Sequence, residues 1–200
     1  MKKVLFLLLN EFAEWEMSPL AAAINQHKNF CVKTVSTSLS PISSIGGFSL
    51  NPDYDIDQAL QTDFAGLLLI GGNSWRTPDA QKGTPLVERA LKIQALLGAI
   101  CDATVYLGSL GLLNSVVHTS NQLEDLQNYA GSAYTGESLY RCQQAVRHGN
   151  TVTANGTASL EFAREVLLGL GIMDETEAEA WYRFYKLGYY EAIKEQREHS

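Results

Sequence analysis

The sequence has little cysteine and little positive charge. Its three cysteines are far apart, at Cys31, Cys101 and Cys142, and no two of them have the CxxC spacing. This pattern predicts neither a disulfide framework nor a cysteine-ligated metal site, and we expect no metal and no organic cofactor. The chain has 15 lysines and arginines against 22 acidic residues, a net charge of −7. That balance excludes the basic surface that nucleic-acid binding needs.

Long hydrophobic runs are also missing. The N-terminal stretch MKKVLFLLLN has the charge and apolar pattern that begins a signal peptide, but its apolar run ends at Asn10. Acidic residues follow at Glu11, Glu14 and Glu16, with no small-residue cleavage site, and the run is too short to cross a bilayer. We therefore interpret it as a buried first strand. We expect a cytoplasmic protein with no membrane partner.

The sequence does contain a regular alternation of apolar strands and amphipathic helices. Apolar residues make up 46% of its 200 positions, enough for a substantial core. Strands are predicted at 3–9, 30–36, 64–70 and 98–101. Residues 115–121 are predicted to form a short strand and a loop, and a hairpin that turns at Gly149 follows. The alternation predicts the α/β class with a mainly parallel central sheet.

The C-terminal segment differs from the rest because it is one long polar-faced helical pattern, from Glu175 to about Glu195. We predict an α/β domain over residues 1–172 and a helical extension over 173–200. Aromatic residues are dense in this extension, and such density favours packing against the domain or a partner subunit, so we expect a homodimer. The aromatic residues are Trp181, Tyr182, Phe184, Tyr185, Tyr189 and Tyr190.

Unusual residues follow three of the predicted strands. The first strand ends in NEFAEWE, the middle strand in GGNSW, and a later strand in the single cysteine of GAICDATVYLG. In open α/β sheets, sites lie beyond the carboxyl ends of the strands. If the three strands are neighbours, Glu16, the turn at Gly71 and Gly72, and the thiol of Cys101 converge in one crevice.

Each of these residues has a chemical use. A sharp turn into a helix exposes the Cys101 sulfur and lowers its pKa through backbone N–H groups and the helix dipole. The amides of Gly71, Gly72 and Asp102 are candidates for an oxyanion site. Buried Glu16 with a raised pKa is able to donate a hydrogen bond to the sulfur. Two further residues of the middle strand end, Asn73 and Trp75, are candidates for lining the pocket, although packing in the core or at an interface is the favoured interpretation of Trp75.

Every one of these residues also has a purely structural interpretation. Cys101 would then be a small buried hydrophobe, and Glu16 a solvated residue at a helix start. For His118, a structural role and a role in the pocket are equally favoured. Asn121 and Asn155 are interpreted as turn or capping residues.

The motifs resemble those of the ThiJ/PfpI superfamily, whose fold is like that of class I glutamine amidotransferases. The matching segments are EFAEWE, LLLIGGN, GAICDAT, HTSN and ANGTASLEFA, in that order and within about residues 3–170. The resemblance implies a three-layer flavodoxin-like α/β fold with a nucleophile elbow at Cys101. It also implies a site in which Cys101 is the nucleophile and Glu16 its partner.

One departure from the superfamily matters. Many amidase-like members have histidine directly after the cysteine, whereas this chain has Asp102, whose charge raises the pKa of a nearby thiol. His118 is the candidate base, because His27 follows the first helix, His148 lies in the hairpin turn and His199 is terminal. We expect no peptidase activity.

The sequence therefore predicts a cysteine-dependent hydrolase or lyase that acts on a small carbonyl or amide substrate. Cys101, Glu16 and His118 are its predicted catalytic residues. Two alternatives stay open. One is a redox or stress-response protein in which Cys101 is oxidised without turnover, and the other is a family member with no catalytic activity.

Overall fold

The structure, a computed structural model, describes the backbone of residues 1–198 and the side chains of residues 1–194. His199 lies outside the described residues. A mainly parallel sheet forms the centre, in the strand order β5-β2-β1-β6-β7-β9-β8, and only β8 is antiparallel to its neighbour. The seven strands of this sheet are β1 (Lys2–Leu7), β2 (Phe30–Ser36), β5 (Tyr54–Asp55), β6 (Gly66–Leu69), β7 (Leu96–Ile100), β8 (Ala145–His148) and β9 (Thr151–Ala154).

A small antiparallel ribbon, β3 (Ile42–Ser43) and β4 (Ser49–Leu50), lies apart from this sheet. Helices follow most strands, as the alternation predicted. They are α1 (Glu14–Gln26), α2 (Ile56–Leu60), α3 (Thr84–Lys92), α4 (Asp102–Ser109), α5 (Leu123–Ala130), α6 (Ser159–Gly169), α7 (Glu175–Leu187) and α8 (Tyr189–Glu198).

The core has two layers, one on each face of the sheet. Along β1, Leu5 and Leu7 pack into the cluster formed with α2 to α5, whereas Val4 and Phe6 pack into the cluster formed with α1 and α6. Successive strand residues point to opposite faces, and both faces are covered. This explains the uninterrupted apolar run at the N-terminus and confirms the three-layer α/β prediction.

The sheet order brings the predicted strand ends together. β6 lies between β1 and β7, with Leu7 opposite Leu69 and Leu69 opposite Ala99. The segments that follow these three parallel strands therefore leave the sheet side by side at its carboxyl edge. The hairpin prediction is also confirmed, because β8 and β9 are antiparallel around Gly149, whose φ is 58°.

Two predicted elements differ from the structure. The long C-terminal helix is wrong as a single element, because Gly188 with φ of 86° separates α7 from α8. The short strand predicted within 115–121 is absent, because His118 makes only a single bridge to Tyr140 and the rest of the segment is loop. Both errors have a local cause. Gly188 adopts a left-handed backbone, and the N–H groups on either side of His118, those of Val117 and Thr119, donate to the side chains of His148 and Thr153 and so cannot extend the bridge into a strand.

Helix α7 packs on α6 through charged and aromatic side chains. Lys186 Nζ lies 2.8 Å from a carboxylate oxygen of Glu161, which also accepts a hydrogen bond from Tyr182 Oη at 2.9 Å. Arg164 pairs with Glu179 at 3.1 Å. Within the described part of the chain, no helix has both the length and the apolar character needed to cross a membrane.

Candidate active site

Cys101 lies at the junction of β7 and α4 in a strained backbone conformation. Its φ is 60° and its ψ −133°, a region that a non-glycine residue adopts at a cost of about 1–3 kcal/mol. Its N–H donates to the Ala154 carbonyl at 3.0 Å, and its carbonyl accepts from Thr104 N–H at 3.0 Å and from Thr104 Oγ1 at 2.6 Å. Both neighbouring elements therefore hold the turn, and the side chain stays partly exposed.

Glu16 is a carboxyl group buried at the same edge. It lies in the first turn of α1, is 1% exposed, and its Oε2 accepts a hydrogen bond from Gly71 N–H at 2.9 Å. Its Oε1 has no hydrogen-bond partner of good geometry among the described residues. A buried oxygen without a partner is costly in a folded protein, so Oε1 is available for chemistry.

Two glycines leave the space in which the thiol and the carboxyl meet. A Cβ on Gly156 would lie 2.8 Å from Cys101 Sγ and 3.2 Å from Glu16 Oε1, so these two atoms flank the same point. A Cβ on Gly71 would lie 2.3 Å from Glu16 Oε2 and 2.5 Å from Cys101 Cβ. Only glycine fits at either position without displacing the pair.

Asn121 completes the surroundings of the sulfur. Its Nδ2 donates to Cys101 Sγ at 3.3 Å, and its Oδ1 accepts from Gly156 N–H at 2.8 Å. The side chain thus connects the thiol to the turn after β9. The sequence analysis interpreted Asn121 as a turn residue and did not consider Gly156, although both lie in motifs that carried the resemblance, HTSN and ANGTA.

The thiol and the carboxyl control each other's protonation. Burial raises the pKa of Glu16 to about 7, while the adjacent Cys101 thiol and the hydrogen bond from Gly71 N–H oppose that rise. Burial also raises the pKa of Cys101 to about 11, and the negative charge of Glu16 adds to the effect. The predicted lowering of the thiol pKa is therefore wrong, because burial and Glu16 outweigh the backbone groups of the turn. Protonation of Glu16 removes that adjacent charge and favours the thiolate.

The effect of Asp102 on the thiol also differs from the prediction. Its backbone N–H lies at Cys101 and lowers the thiol pKa, together with the Asn121 amide. Its carboxylate is held by Arg76, whose Nε and Nη2 each lie 2.7 Å from one Asp102 oxygen. Glu16, and not Asp102, is the carboxylate whose charge disfavours the thiolate.

The backbone N–H groups of the glycine turn differ in whether they are free to bind an oxyanion. The N–H of Gly71 is already donated to Glu16, and the N–H of exposed Asn73 is donated to the Glu11 carbonyl at 3.1 Å. Gly72, between them, has φ of 150°, and a Cβ there would lie 2.4 Å from the Glu11 oxygen. Its N–H has no hydrogen-bond partner among residues 1–194. Of the predicted oxyanion donors, Gly72 and Asp102 are the two that remain after this assignment.

The structure does not bring His118 to the thiol. His118 is fully buried, with Nδ1 2.8 Å from the Val116 carbonyl oxygen and Nε2 2.7 Å from Tyr134 Oη. Burial lowers its pKa. Because both ring nitrogens are engaged, this histidine supports the loop and is not placed as a base for Cys101.

Trp75 is in the core and not in the pocket, so of its two interpretations the pocket one is wrong. It is 1% exposed, its indole Nε1 donates to the Ile70 carbonyl at 2.6 Å, and its ring packs 5.2 Å from that of Tyr106. An indole whose N–H finds a backbone acceptor is stable in a core. Trp75 therefore belongs to the hydrophobic core beneath the turn and does not line the pocket.

A cleft of about 440 Å³ borders the site on the side of Asn121 and Asn155. Eight of the eleven residues that line it carry an amide or hydroxyl group, Glu124 contributes a carboxylate, and no lysine or arginine is among them. The lining consists of residues 119–124, Tyr140, residues 142–144 and Asn155. Across the described residues, no group of three or more histidine, cysteine or acidic side chains is arranged to hold a metal ion.

The chain is similar over most of its length to a known protein family and to two proteins of Bacillus subtilis. Residues 2–168 match the DJ-1/PfpI family. A Bacillus subtilis (strain 168) protein named "Uncharacterized protease YdeA" is 43% identical over 168 residues, which are 84% of this chain and 82% of that protein. A second protein of that strain, "Uncharacterized protease YoaZ", is 35% identical over 92% of this chain and 91% of its own length.

Solved structures agree with this assignment. A thiJ/pfpI family protein from Bacillus anthracis superposes with a TM-score of 0.88 at 32% identity, over 96% of this chain and 93% of that one. A DJ-1 superfamily protein from Agrobacterium tumefaciens superposes with a TM-score of 0.84 at 36% identity, over 92% of this chain and 97% of that one. The expected flavodoxin-like fold is confirmed by these likenesses.

Proposed function

We propose that this chain, which belongs to the DJ-1/PfpI family, is a cysteine-dependent hydrolase or lyase acting on a small carbonyl or amide substrate. The observation that carries the proposal is the contact set of Cys101. Partly exposed Cys101 lies on a strained turn, its sulfur flanks the same space at Gly156 as the buried carboxyl group of Glu16, and it accepts a hydrogen bond from the Asn121 amide. Backbone strain and a carboxyl group with a raised pKa are typical of sites built for chemistry.

In the proposed reaction, the thiol proton passes to ionised Glu16 as Cys101 sulfur attacks the electrophilic carbon. A carbon–sulfur bond forms, and the carbonyl π electrons move to oxygen. The N–H groups of Gly72 and Asp102 stabilise that oxyanion. Glu16, with a pKa of about 7, is suited to both accepting and returning the proton near neutral pH.

The second half of the reaction depends on the substrate. With an amide, the carbon–nitrogen bond breaks, the amine leaves with the proton from Glu16, and water then hydrolyses the thioester and restores the thiol. With an α-oxo aldehyde such as methylglyoxal, the proton from Glu16 goes to the oxyanion and gives a hemithioacetal. Glu16 then moves a proton from C1 to C2, so that C1 is oxidised to a thioester while C2 is reduced to an alcohol, and water hydrolyses the thioester to the hydroxy acid and restores the thiol. Both routes use the same three groups: Cys101, Glu16 and the oxyanion donors.

The cleft beside the site supports a small, uncharged substrate. Its volume of about 440 Å³ is at the small end of ligand pockets. Amide and hydroxyl side chains such as Gln122, Gln143 and Ser120 are able to hydrogen-bond a polar substrate, and no cation is present in the lining to attract an anion. Small carbonyl compounds and primary amides fit this description.

Peptide hydrolysis is not part of the proposal, although the two Bacillus subtilis relatives carry the word protease in their names. Within residues 1–194, none of the histidines is hydrogen-bonded to the thiol: His118 binds Val116 and Tyr134, His148 accepts from Val117 N–H, and His27 accepts from Asn29 N–H. A thiol without an adjacent imidazole lacks the usual base of cysteine peptidases.

The test compares wild-type protein with Cys101→Ser on methylglyoxal, on small chromogenic amides and on casein. The proposal expects turnover of a small substrate by wild-type protein, loss of turnover in the variant and no cleavage of casein. Intact-mass measurement after mild peroxide addresses the redox alternative. A gain of two oxygens at Cys101 with no turnover of any small substrate would replace the proposal by that alternative, and an unreactive thiol in both assays would favour a non-catalytic family member.

We also propose that the protein acts in the cytoplasm as a homodimer. Aromatic side chains around the α7–α8 junction support the second part, because Tyr185, Tyr189 and Tyr190 are all more than half exposed, which is unusual for large rings. Sedimentation analysis of the purified chain tests the oligomeric state. A monomer at micromolar concentration would overturn that part alone.

A further inference from the structure

Arg76 connects three parts of the site that are distant in the sequence. It follows the glycine turn after β6 and binds Asp102, the residue after Cys101, through two bonds of 2.7 Å. It also binds Asp125, with Nη1 3.0 Å and Nη2 2.6 Å from the two carboxylate oxygens. Its guanidinium lies 5.2 Å from the ring centre of Tyr129. Two bidentate pairs on one side chain fix its position far better than a simple surface ion pair.

The first consequence concerns charge. Asp102 directly follows the cysteine, and the Asp102 side chain is about one fifth exposed. A bare carboxylate at that place raises the pKa of the thiol by repulsion, and the Asp102 charge already raises the pKa of Glu16. Arg76 places a cation against this carboxylate. It therefore limits the electrostatic effect of Asp102 on the thiol and on Glu16.

The second consequence concerns position. Asp125 lies in the first turn of α5, and the segment that enters α5 carries Asn121, which donates to the Cys101 sulfur. By binding Asp102 and Asp125 together, Arg76 ties the start of α4 to the start of α5. The same side chain thus holds the sulfur and its hydrogen-bond donor in a fixed relation.

We infer that Arg76 is a positioning residue for the Cys101 thiol, acting through Asp102 and Asp125. It masks the negative charge beside the thiol and anchors the segment that brings Asn121 to the sulfur. The inference rests on the proposed function only in treating Cys101 as the reactive atom. The charged groups that face the thiol are Glu16 from α1 and Asp102 from α4, and Arg76 and Asp125 act through the latter.

The experiment measures the rate of Cys101 alkylation by iodoacetamide from pH 6 to pH 11, with the modified peptide quantified by mass spectrometry. This readout is independent of any substrate. We expect Arg76→Gln to slow alkylation at pH 8 by about threefold to tenfold and to move the pH profile to higher pH. Lys82→Gln is the matched control. It removes an exposed ion pair with Asp79 that has no contact with Cys101, and we expect it to leave the profile unchanged.

A second substitution separates charge masking from a general structural effect. In the double variant Arg76→Gln/Asp102→Asn the unmasked charge is gone, and we expect the pH profile to return most of the way to that of wild-type protein. Arg76→Lys, which keeps the charge but loses the bidentate bonds, is expected to lie between wild-type protein and Arg76→Gln.

An unchanged profile in Arg76→Gln would overturn the inference, and an equal slowing in the single and double variants would overturn charge masking and leave the anchoring of Asn121 as the effect of Arg76. Thermal unfolding of each variant identifies any loss of folding, and Arg76→Lys then serves as the milder variant. If no small substrate is turned over but the alkylation profiles follow this pattern, the proposed function fails and the role of Arg76 stands. If a small substrate is turned over but the alkylation profile of Arg76→Gln is unchanged, the proposed function stands and the role of Arg76 fails.

Discussion

The Nδ2 atom of Asn121 lies 3.3 Å from the sulfur of Cys101, and the Oδ1 atom of the same side chain accepts a hydrogen bond from Gly156 N–H. The Asn121 amide is therefore hydrogen-bonded both to the thiol and to the turn that flanks the thiol. Because the amide donates to the sulfur, it stabilises the thiolate and opposes the effect of burial. The reactivity of Cys101 depends on this loop as well as on its own helix.

Substitution Asn121→Asp tests this contact. The carboxylate keeps an acceptor for Gly156 N–H but replaces the donor to the sulfur by a negative charge. We expect alkylation of Cys101 at pH 8 to slow by about tenfold or more. Asn114→Asp is the matched control, because Asn114 also donates through Nδ2 and accepts through Oδ1 within a loop. Equal rates in the two variants would show that the Asn121 contact has no influence on the thiol.

Substitution Glu16→Gln is expected to change alkylation and turnover in opposite directions. The neutral amide removes the charge that raises the thiol pKa, so iodoacetamide reacts faster at pH 8, by about threefold or more. Turnover of the small substrate falls by about a hundredfold or more, because the amide cannot carry the proton. If both rates fall together, Glu16 acts by supporting the fold and not by exchanging protons with the thiol.

The raised pKa of Glu16 also predicts how stability varies with pH. The pKa in the folded protein is about 7 against an ordinary value of 4.5, so the folded state binds the proton more tightly than the unfolded chain. The stabilising contribution is complete below pH 4.5 and is lost as the pH rises to 7, by at most about 3 kcal/mol. Denaturant unfolding of wild-type protein and Glu16→Gln at pH 5 and pH 8 measures it. A difference between the two proteins that does not change with pH would contradict the burial of an ionisable carboxyl.

Substitution Gly156→Ala tests the space between the thiol and the carboxyl. The added methyl group would lie 2.8 Å from Cys101 Sγ, closer than such atoms approach, so we expect turnover to fall by about tenfold or more while stability falls by about 1–3 kcal/mol. Gly149→Ala is the control, because a Cβ at Gly149 meets nothing within 4 Å and only its positive φ is unfavourable. Normal turnover in Gly156→Ala would mean that the pair does not require this close approach.

Replacement of His118 by glutamine separates structure from catalysis. We expect a loss of about 1–3 kcal/mol in stability, because buried hydrogen bonds to Tyr134 and Val116 are disturbed. Turnover and the alkylation rates are expected to stay within about twofold of wild-type values, which corresponds to a change of less than about 1 kcal/mol in activation free energy. Because burial lowers the pKa of His118, its contribution to stability is present above about pH 6.5 and decreases at lower pH. A loss of turnover with normal stability would restore His118 as a catalytic base.

The sequence predicted best those site residues that the order of the parallel strands alone brings close together. Parallel strands place their carboxyl ends at one edge, so Glu16, Gly71 and Cys101 could be brought together without any knowledge of loops. Arg76 and Asn121 could not, because their contacts with Asp102 and Cys101 depend on the paths of two loops. No periodicity encodes such paths.

The errors of the sequence analysis have a related cause. Trp75 follows a strand end as pocket residues often do, but its indole N–H reaches the Ile70 carbonyl and the ring fits the core. His118 lies in a motif near the site, but two partners occupy its ring. In both cases the direction of a side chain decided the role, and sequence position specifies direction only within regular strands and helices.

Capture of a covalent intermediate decides whether Cys101 is the nucleophile. Wild-type protein and Cys101→Ser are mixed with methylglyoxal, quenched within milliseconds to seconds, and examined by intact-mass and peptide-mass measurement while product is assayed in parallel. We expect an adduct on Cys101 that rises and decays during turnover in wild-type protein, and neither adduct nor product in Cys101→Ser. Turnover at the wild-type rate by Cys101→Ser would contradict this expectation.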